Sequence, residues 1–180
     1  LILKFSMMVH RLLPILMLLI STAASAQRYD WRTRIDRLIE RADSLSLKYQ
    51  RTFWLTKYIG TDRTYKETWY YTERDGRVVE FEIRYMIDSI EHSETYYLDN
   101  GRPICIERYE TVYFGYYEDE IKRGEVLFLE NENIRQLVTI GHRESSFVKS
   151  YDTMRRFTDR YAELKQNMIA TGHKAIERHQ

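Results

Sequence analysis

The stretch Trp69-Tyr70-Tyr71-Thr72-Glu73-Arg74-Asp75-Gly76-Arg77-Val78-Val79-Glu80-Phe81 reads as an aromatic strand, a tight polar turn and an apolar strand. The pattern returns as Tyr96-Tyr97-Leu98-Asp99-Asn100-Gly101-Arg102-Pro103-Ile104-Cys105-Ile106. A third pass, without glycine, runs Val126-Leu127-Phe128-Leu129-Glu130-Asn131-Glu132-Asn133-Ile134. Asp75-Gly76 and Asn100-Gly101 supply residues that reach positive φ at low cost, as a two-residue primed hairpin turn demands. Three hairpins in series predict an antiparallel meander from Tyr65 to Ile140.

Outward from this block the period decides each element. From Val79 to Ile87 apolar and mostly charged residues alternate, so Val79, Phe81, Ile83, Tyr85 and Ile87 are expected to face the core. One face of the sheet is then dry and the other wet, as in antiparallel sheets. Upstream, Phe53, Leu55 and Ile59 alternate with Thr52, Thr56 and Tyr58, which predicts a first strand ending at Gly60-Thr61-Asp62. The strand from Pro103 to Tyr113 is less regular: Ile104 and Ile106 point one way and Cys105, Tyr109 and Tyr113 the other. Either both faces are covered there or a bulge shifts the phase near Glu107.

The flanks are helical. Trp31, Ile35, Leu38, Ala42, Leu45 and Tyr49 form one stripe, with Asp30 placed as its N-cap. Tyr151, Met154, Phe157, Tyr161, Leu164 and Met168 form a second, bounded by Ser150 and Gly172. The expected fold class is α+β: an antiparallel meander of about seven strands whose apolar face is covered by an N-terminal and a C-terminal amphipathic helix.

The amino terminus reads differently. Lys4 and Arg11 are its only charges, Leu12 to Ile20 is apolar, and Ala24-Ser25-Ala26 is a small-x-small cleavage site. This predicts a cleavable signal peptide over 1–26, a single domain over 27–172 and a flexible tail over 173–180, the apolar run being too short for a membrane-spanning helix. Without 1–26, 26 basic residues face 27 acidic ones. Acids and bases alternate along the same segments, as in Arg74-Asp75-Gly76-Arg77, where a nucleic-acid binder would show a basic stripe. Cys105 is the only cysteine, so an exported chain forms no internal disulfide, and none stands at the cleavage site to carry a lipid. The expected location is periplasmic or secreted, with no stable membrane span after cleavage.

No stretch carries a catalytic or cofactor motif. Ten of the 15 tyrosines lie between Tyr65 and Tyr117, so aromatic contact is the chemistry this block has most of. Tyr113, Phe114, Tyr116 and Tyr117 surround Gly115 and precede three acids, which places them at a turn where apolar surface is hard to bury. They are the candidate contacts for a protein partner or an amphipathic ligand. His92-Ser93-Glu94 and His142-Arg143-Glu144 each put two metal ligands on one side of an extended segment, short of the three or four zinc needs. Glu80, Glu82 and Glu107 could pair as general acid and base on the wet face, but Arg84 and Arg108 beside them suit ordinary cross-strand ion pairs. Cys105 between two isoleucines is in a setting that makes a thiol inert. No metal or cofactor is expected.

Through Tyr70-Tyr71 with Asp75-Gly76 and Tyr96-Tyr97 with Asn100-Gly101, the hairpin series resembles the MORN-type family of repeated hairpins. The resemblance covers under half of the chain and implies serial hairpins, with no activity or site residue attached. The expected function is that of an exported non-catalytic binding or assembly module with an aromatic-rich sheet. The alternatives are a carrier enclosing an apolar ligand between sheet and helices, and a hydrolase using the carboxylates of the polar face.

Overall fold

A computed structural model describes residues 31–113, 120–141 and 150–170. Seven strands follow one another: β1 (Arg51–Ile59), β2 (Arg63–Arg74), β3 (Arg77–Ile87), β4 (Ile90–Asp99), β5 (Arg102–Val112), β6 (Glu120–Glu130) and β7 (Asn133–Ile140). Each is antiparallel to the next, and their order in the sheet is their order in the chain. Helix α1 covers residues 31–49 and helix α2 Ser150–Ala170, so the fold is α+β with a seven-stranded meander. The chain divides into two compact units, residues 1–38 and 39–180; all strands, α2 and residues 39–49 of α1 belong to the second.

The turns follow from their residues. Asp75 and Gly76 have φ of 52° and 72°, and Asn100 and Gly101 have 53° and 79°, so both central positions are left-handed as a primed turn requires. The third hairpin achieves the same without glycine, at Asn131 (51°) and Glu132 (66°).

Directly opposed residues of neighbouring strands share a face. One row crosses the sheet as Tyr71, Phe81, Tyr96, Ile106 and Leu127, and the next as Phe53, Trp69, Ile83, Glu94, Arg108 and Glu125. This is the core face. Trp69, Phe81 and Tyr96 stack in series, and α2 lays Phe157, Tyr161, Leu164 and Met168 on them.

The opposite face carries the row Thr72, Glu80, Tyr97, Cys105 and Phe128, which is also buried. Residues 39–49 lie over part of it: the Tyr97 hydroxyl donates to Asp43 at 3.0 Å, and Ser46 and Asp43 are near enough to Glu80 to act on its carboxyl. The helices therefore do not share the apolar face as the sequence predicts. The apolar stripe of α2 takes the core face, while residues 39–49 take the other at the end where it is dry.

Of the four register shifts among the sheet's described residues, two change the expected phase. Thr72 pairs with Glu80 but Glu73 pairs with Val78, so Val79 is skipped and left half-buried while Val78 enters the core. Phe81 and Ile83 are fully buried as expected; Tyr85 and Ile87 are half-buried. Tyr97 pairs with Cys105 but Leu98 pairs with Pro103, which puts a bulge at Ile104 and not near Glu107. Beyond it both faces are covered, since Cys105 and Ile106 are both buried. Tyr49, expected in the α1 stripe, is exposed. The signal segment, Asp30, Gly172 and the tail lie outside the described residues.

Candidate functional site

Beyond the part that residues 39–49 occupy, the second face of the sheet carries exposed side chains. Its central row runs Trp54, Thr68, Arg84, Ser93 and Tyr109. Alternation brings Tyr58 and Tyr70 onto the same face, and Met86, Glu91 and Thr111 form the next row. Trp54 is 61% exposed and Tyr58 74%, although large aromatics at such positions usually find cover. Lys66 Nζ lies 4.6 Å from the Trp54 ring centroid and the Arg84 guanidinium 5.7 Å from that of Tyr70, both in cation–π range. The Tyr109 ring rests against Gly124, where a Cβ would stand 2.8 Å from its Cδ1; only glycine lets the ring lie down on the sheet.

Tyr113, just past β5, is 47% exposed and its hydroxyl donates to Glu91. Phe114, Tyr116 and Tyr117 lie outside the described residues. The exposed rings that are described are Trp54 and Tyr58 on β1, Tyr49 at the end of α1 and Tyr113 just past β5.

The three carboxylates singled out in the sequence do converge. Glu80, Glu82 and Glu107 share this second face, and Asp43 joins them from the helix. Burial first, then the charges of Asp43 and Glu82, push Glu80 up to about 7, and Ser46 and Glu107 act in opposite senses on what remains. Glu107 is raised too, chiefly by burial. Glu82 is bonded by Arg84 at 2.6 Å.

On the core face, where β4 to β6 run past the end of the aromatic stack, the sheet turns polar. Glu94, Arg108 and Glu125 are directly opposed, and beside them stand His92, Glu110 and Arg123, so acids and bases are interleaved across three strands. These residues, with Tyr85 and with Arg156 of α2, line a cleft of about 230 Å³. Arg156 donates from Nε and Nη2 to Glu94 at 2.9 and 2.5 Å, and the Tyr96 hydroxyl donates to the same carboxylate at 2.6 Å. Burial pushes Glu94 up, but the hydrogen bond and charge of Arg156, with Arg160, outweigh it and take it down to about 2. Glu67 is likewise held by Arg160 and by the Trp69 indole at 3.1 Å. Tyr85, stacked on His92 with centroids 5.0 Å apart, is pushed up to about 12 by burial and by Glu94.

His92 and Glu94 do share a face, but Glu94 is taken up by guanidinium and His92 faces Glu110 at 3.9 Å. His142 and Glu144 lie outside the described residues. Cys105 is buried. Sequence reasoning missed Glu67, Glu125, Arg156 and Arg160. One signal was there: Arg156 and Arg160 stand four apart beside Phe157 and Tyr161, at the border of the apolar stripe of α2. No described helix is long and apolar enough to cross a membrane. Comparison with protein-family models, with curated proteins and with solved structures gives no match, so the hairpin resemblance stays one of turn chemistry.

Proposed function

We propose that the chain is an exported, non-catalytic binding protein that holds a carbohydrate on the second face of its sheet. What supports this is the lane from Trp54 to Tyr109, with an aromatic ring at each end and Thr68, Arg84 and Ser93 between. Sugars present C–H patches that stack on aromatic rings and hydroxyls that both donate and accept, as threonine and serine do. Trp54 and Tyr58, four residues apart on one strand, are separated by about 13 Å, so an extended chain of sugars is engaged at two points. A protein partner fits less well, because serine and threonine are under-represented where protein interfaces concentrate their energy. An apolar cargo also fits less well, since the cleft under α2 is lined by charges.

A second, catalytic reading has one observation in its favour: Glu80 at about 7 beside Glu82 and Glu107 is tuned like a general acid. Against it, Glu80 is buried, with Ser46 and Asp43 over it.

The test is retention of the exported protein on insoluble polysaccharides and its retardation in gels containing soluble ones. Trp54→Ala with Tyr58→Ala should weaken binding about tenfold per ring while leaving the melting temperature unchanged, because both side chains are exposed. If no glycan retains the wild-type chain, the proposal fails. Intact mass of the exported form checks the export half, with Gln27 as the expected first residue.

A further inference from the structure

The cleft beneath α2 is a second site, built on the charged residues of the core face, and it shares only Ser93 and Tyr109 of its lining with the aromatic lane. We infer that it takes a small zwitterion of the amino-acid type, with the ammonium group on Glu125 and the carboxylate on the guanidinium side formed by Arg108 and Arg123.

Three observations carry this. Glu125 is 1% exposed and lines the cleft; its Oε1 accepts from Arg123 at 2.8 Å, while its Oε2 is buried with no hydrogen-bond partner among the described residues. A buried carboxylate oxygen without a donor is costly, and a ligand ammonium brings three donors. The lining is also balanced: Glu94, Glu110 and Glu125 face Arg108, Arg123 and Arg156, with His92 beside them. A bare cation would satisfy Glu125 and leave an excess positive charge in a low-dielectric place, and a bare anion would do the reverse; a ligand with both charges preserves the balance. Size is the third. Pockets for drug-sized molecules run from about 300 Å³ upward, and about 230 Å³ suits a molecule of amino-acid size.

Arg108 lines the cleft from the other side. It is 6% exposed, and burial first, with the charge of Arg156, lowers its pKa against the pull of Tyr96, Glu94 and Glu125. A ligand carboxylate would restore what burial takes from it, in the planar two-bond geometry that guanidinium offers.

The experiment is calorimetric titration of the full chain with the standard L-amino acids, and with propionate and ethylamine as the two halves of alanine. At least one amino acid should bind, and both half-ligands should bind at least about tenfold more weakly than that amino acid. Glu125→Gln keeps the shape of the side chain and should reduce its affinity by tenfold or more. Thermal shift under the same conditions reads out binding in the variant even if its stability falls. The inference is overturned if no amino acid binds at millimolar concentration, if a half-ligand binds as well as the whole, or if Glu125→Gln binds unchanged.

Discussion

Glu80 shows how one residue couples stability to pH. Its carboxyl is raised from 4.5 to about 7, by burial first and then by Asp43 and Glu82. Because the folded value lies above the ordinary one, the unfolded chain gives up this proton first. On this account stability is highest below about 4.5 and falls as pH rises to about 7. Glu80→Gln removes the charge and should stabilise the protein by up to roughly 3 kcal/mol at pH 8, the gain vanishing near pH 4. Denaturant midpoints at the two pH values check this, and an equal gain at both would mean that burial of charge is not the cause. Glycine makes a second residue-scale contrast. Gly76 and Gly141 both have positive φ, but a Cβ at Gly76 meets nothing within 4 Å, whereas at Gly141 it would stand 2.5 Å from the Lys122 carbonyl oxygen. Gly76→Ala should cost about 1–2 kcal/mol of left-handed strain. Gly141→Ala should cost clearly more in the same unfolding measurement, because backbone must move.

At the scale of elements, α2 is held to the sheet by two kinds of contact. Phe157 and Tyr161 pack on Phe81, which itself stacks on Tyr96 with ring centroids 4.5 Å apart. Phe81→Ala should cost about 3–5 kcal/mol, since it opens a cavity beneath the helix. Glu82→Ala on the opposite face should cost well under about 1 kcal/mol, since it gives up a partly exposed pair with Arg84. Arg156 and Arg160, one turn apart, reach down to Glu94 and Glu67. Glu94→Gln should cost about 3–5 kcal/mol at neutral pH, because it strands guanidinium charge that is largely out of water. Pairing it with Arg156→Met should recover part of that loss, and a double-mutant cycle reads the difference. The pH sense is opposite to that of Glu80. With Glu94 held down to about 2, its contribution is complete above the ordinary 4.5 and is lost only as pH falls toward 2.

For the whole molecule, an open meander has two edges, and they are not alike. The β1 edge carries Arg51, Lys57 and Arg63 near it, with Arg51 bonded to Glu73 at 3.0 Å. The β7 edge spans eight residues with Arg135 as its one charge and no proline, and exposes Leu137, Val138 and Ile140. Natural sheets blunt such edges with lysine, proline or cover. Val138→Lys should therefore raise the temperature or concentration at which the protein aggregates, with little change in its melting temperature; light scattering during a thermal ramp checks both.

The amino-acid sequence by itself determined whatever is local in this protein. Asp75-Gly76 and Asn100-Gly101 dictate primed turns because two adjacent left-handed residues are cheap there and dear elsewhere. Phe81 and Ile83 alternate into the core because a strand has period two. Short turns in series leave nothing but a meander. Only the tertiary structure decided which face each helix covers, because an amphipathic stripe says that it must be buried and not against what. It also decided that Glu67, Glu94, Arg108 and Glu125 lie inside. Charged residues at alternate positions read in sequence as a solvated face. They become a buried lattice and a cleft only when α2 brings Arg156 and Arg160 over them, from 62 and 93 positions along the chain for Glu94 and Glu67. The two bulges belong with this: Val78 replaces Val79 in the core because register is negotiated between strands, which no single strand's alternation records.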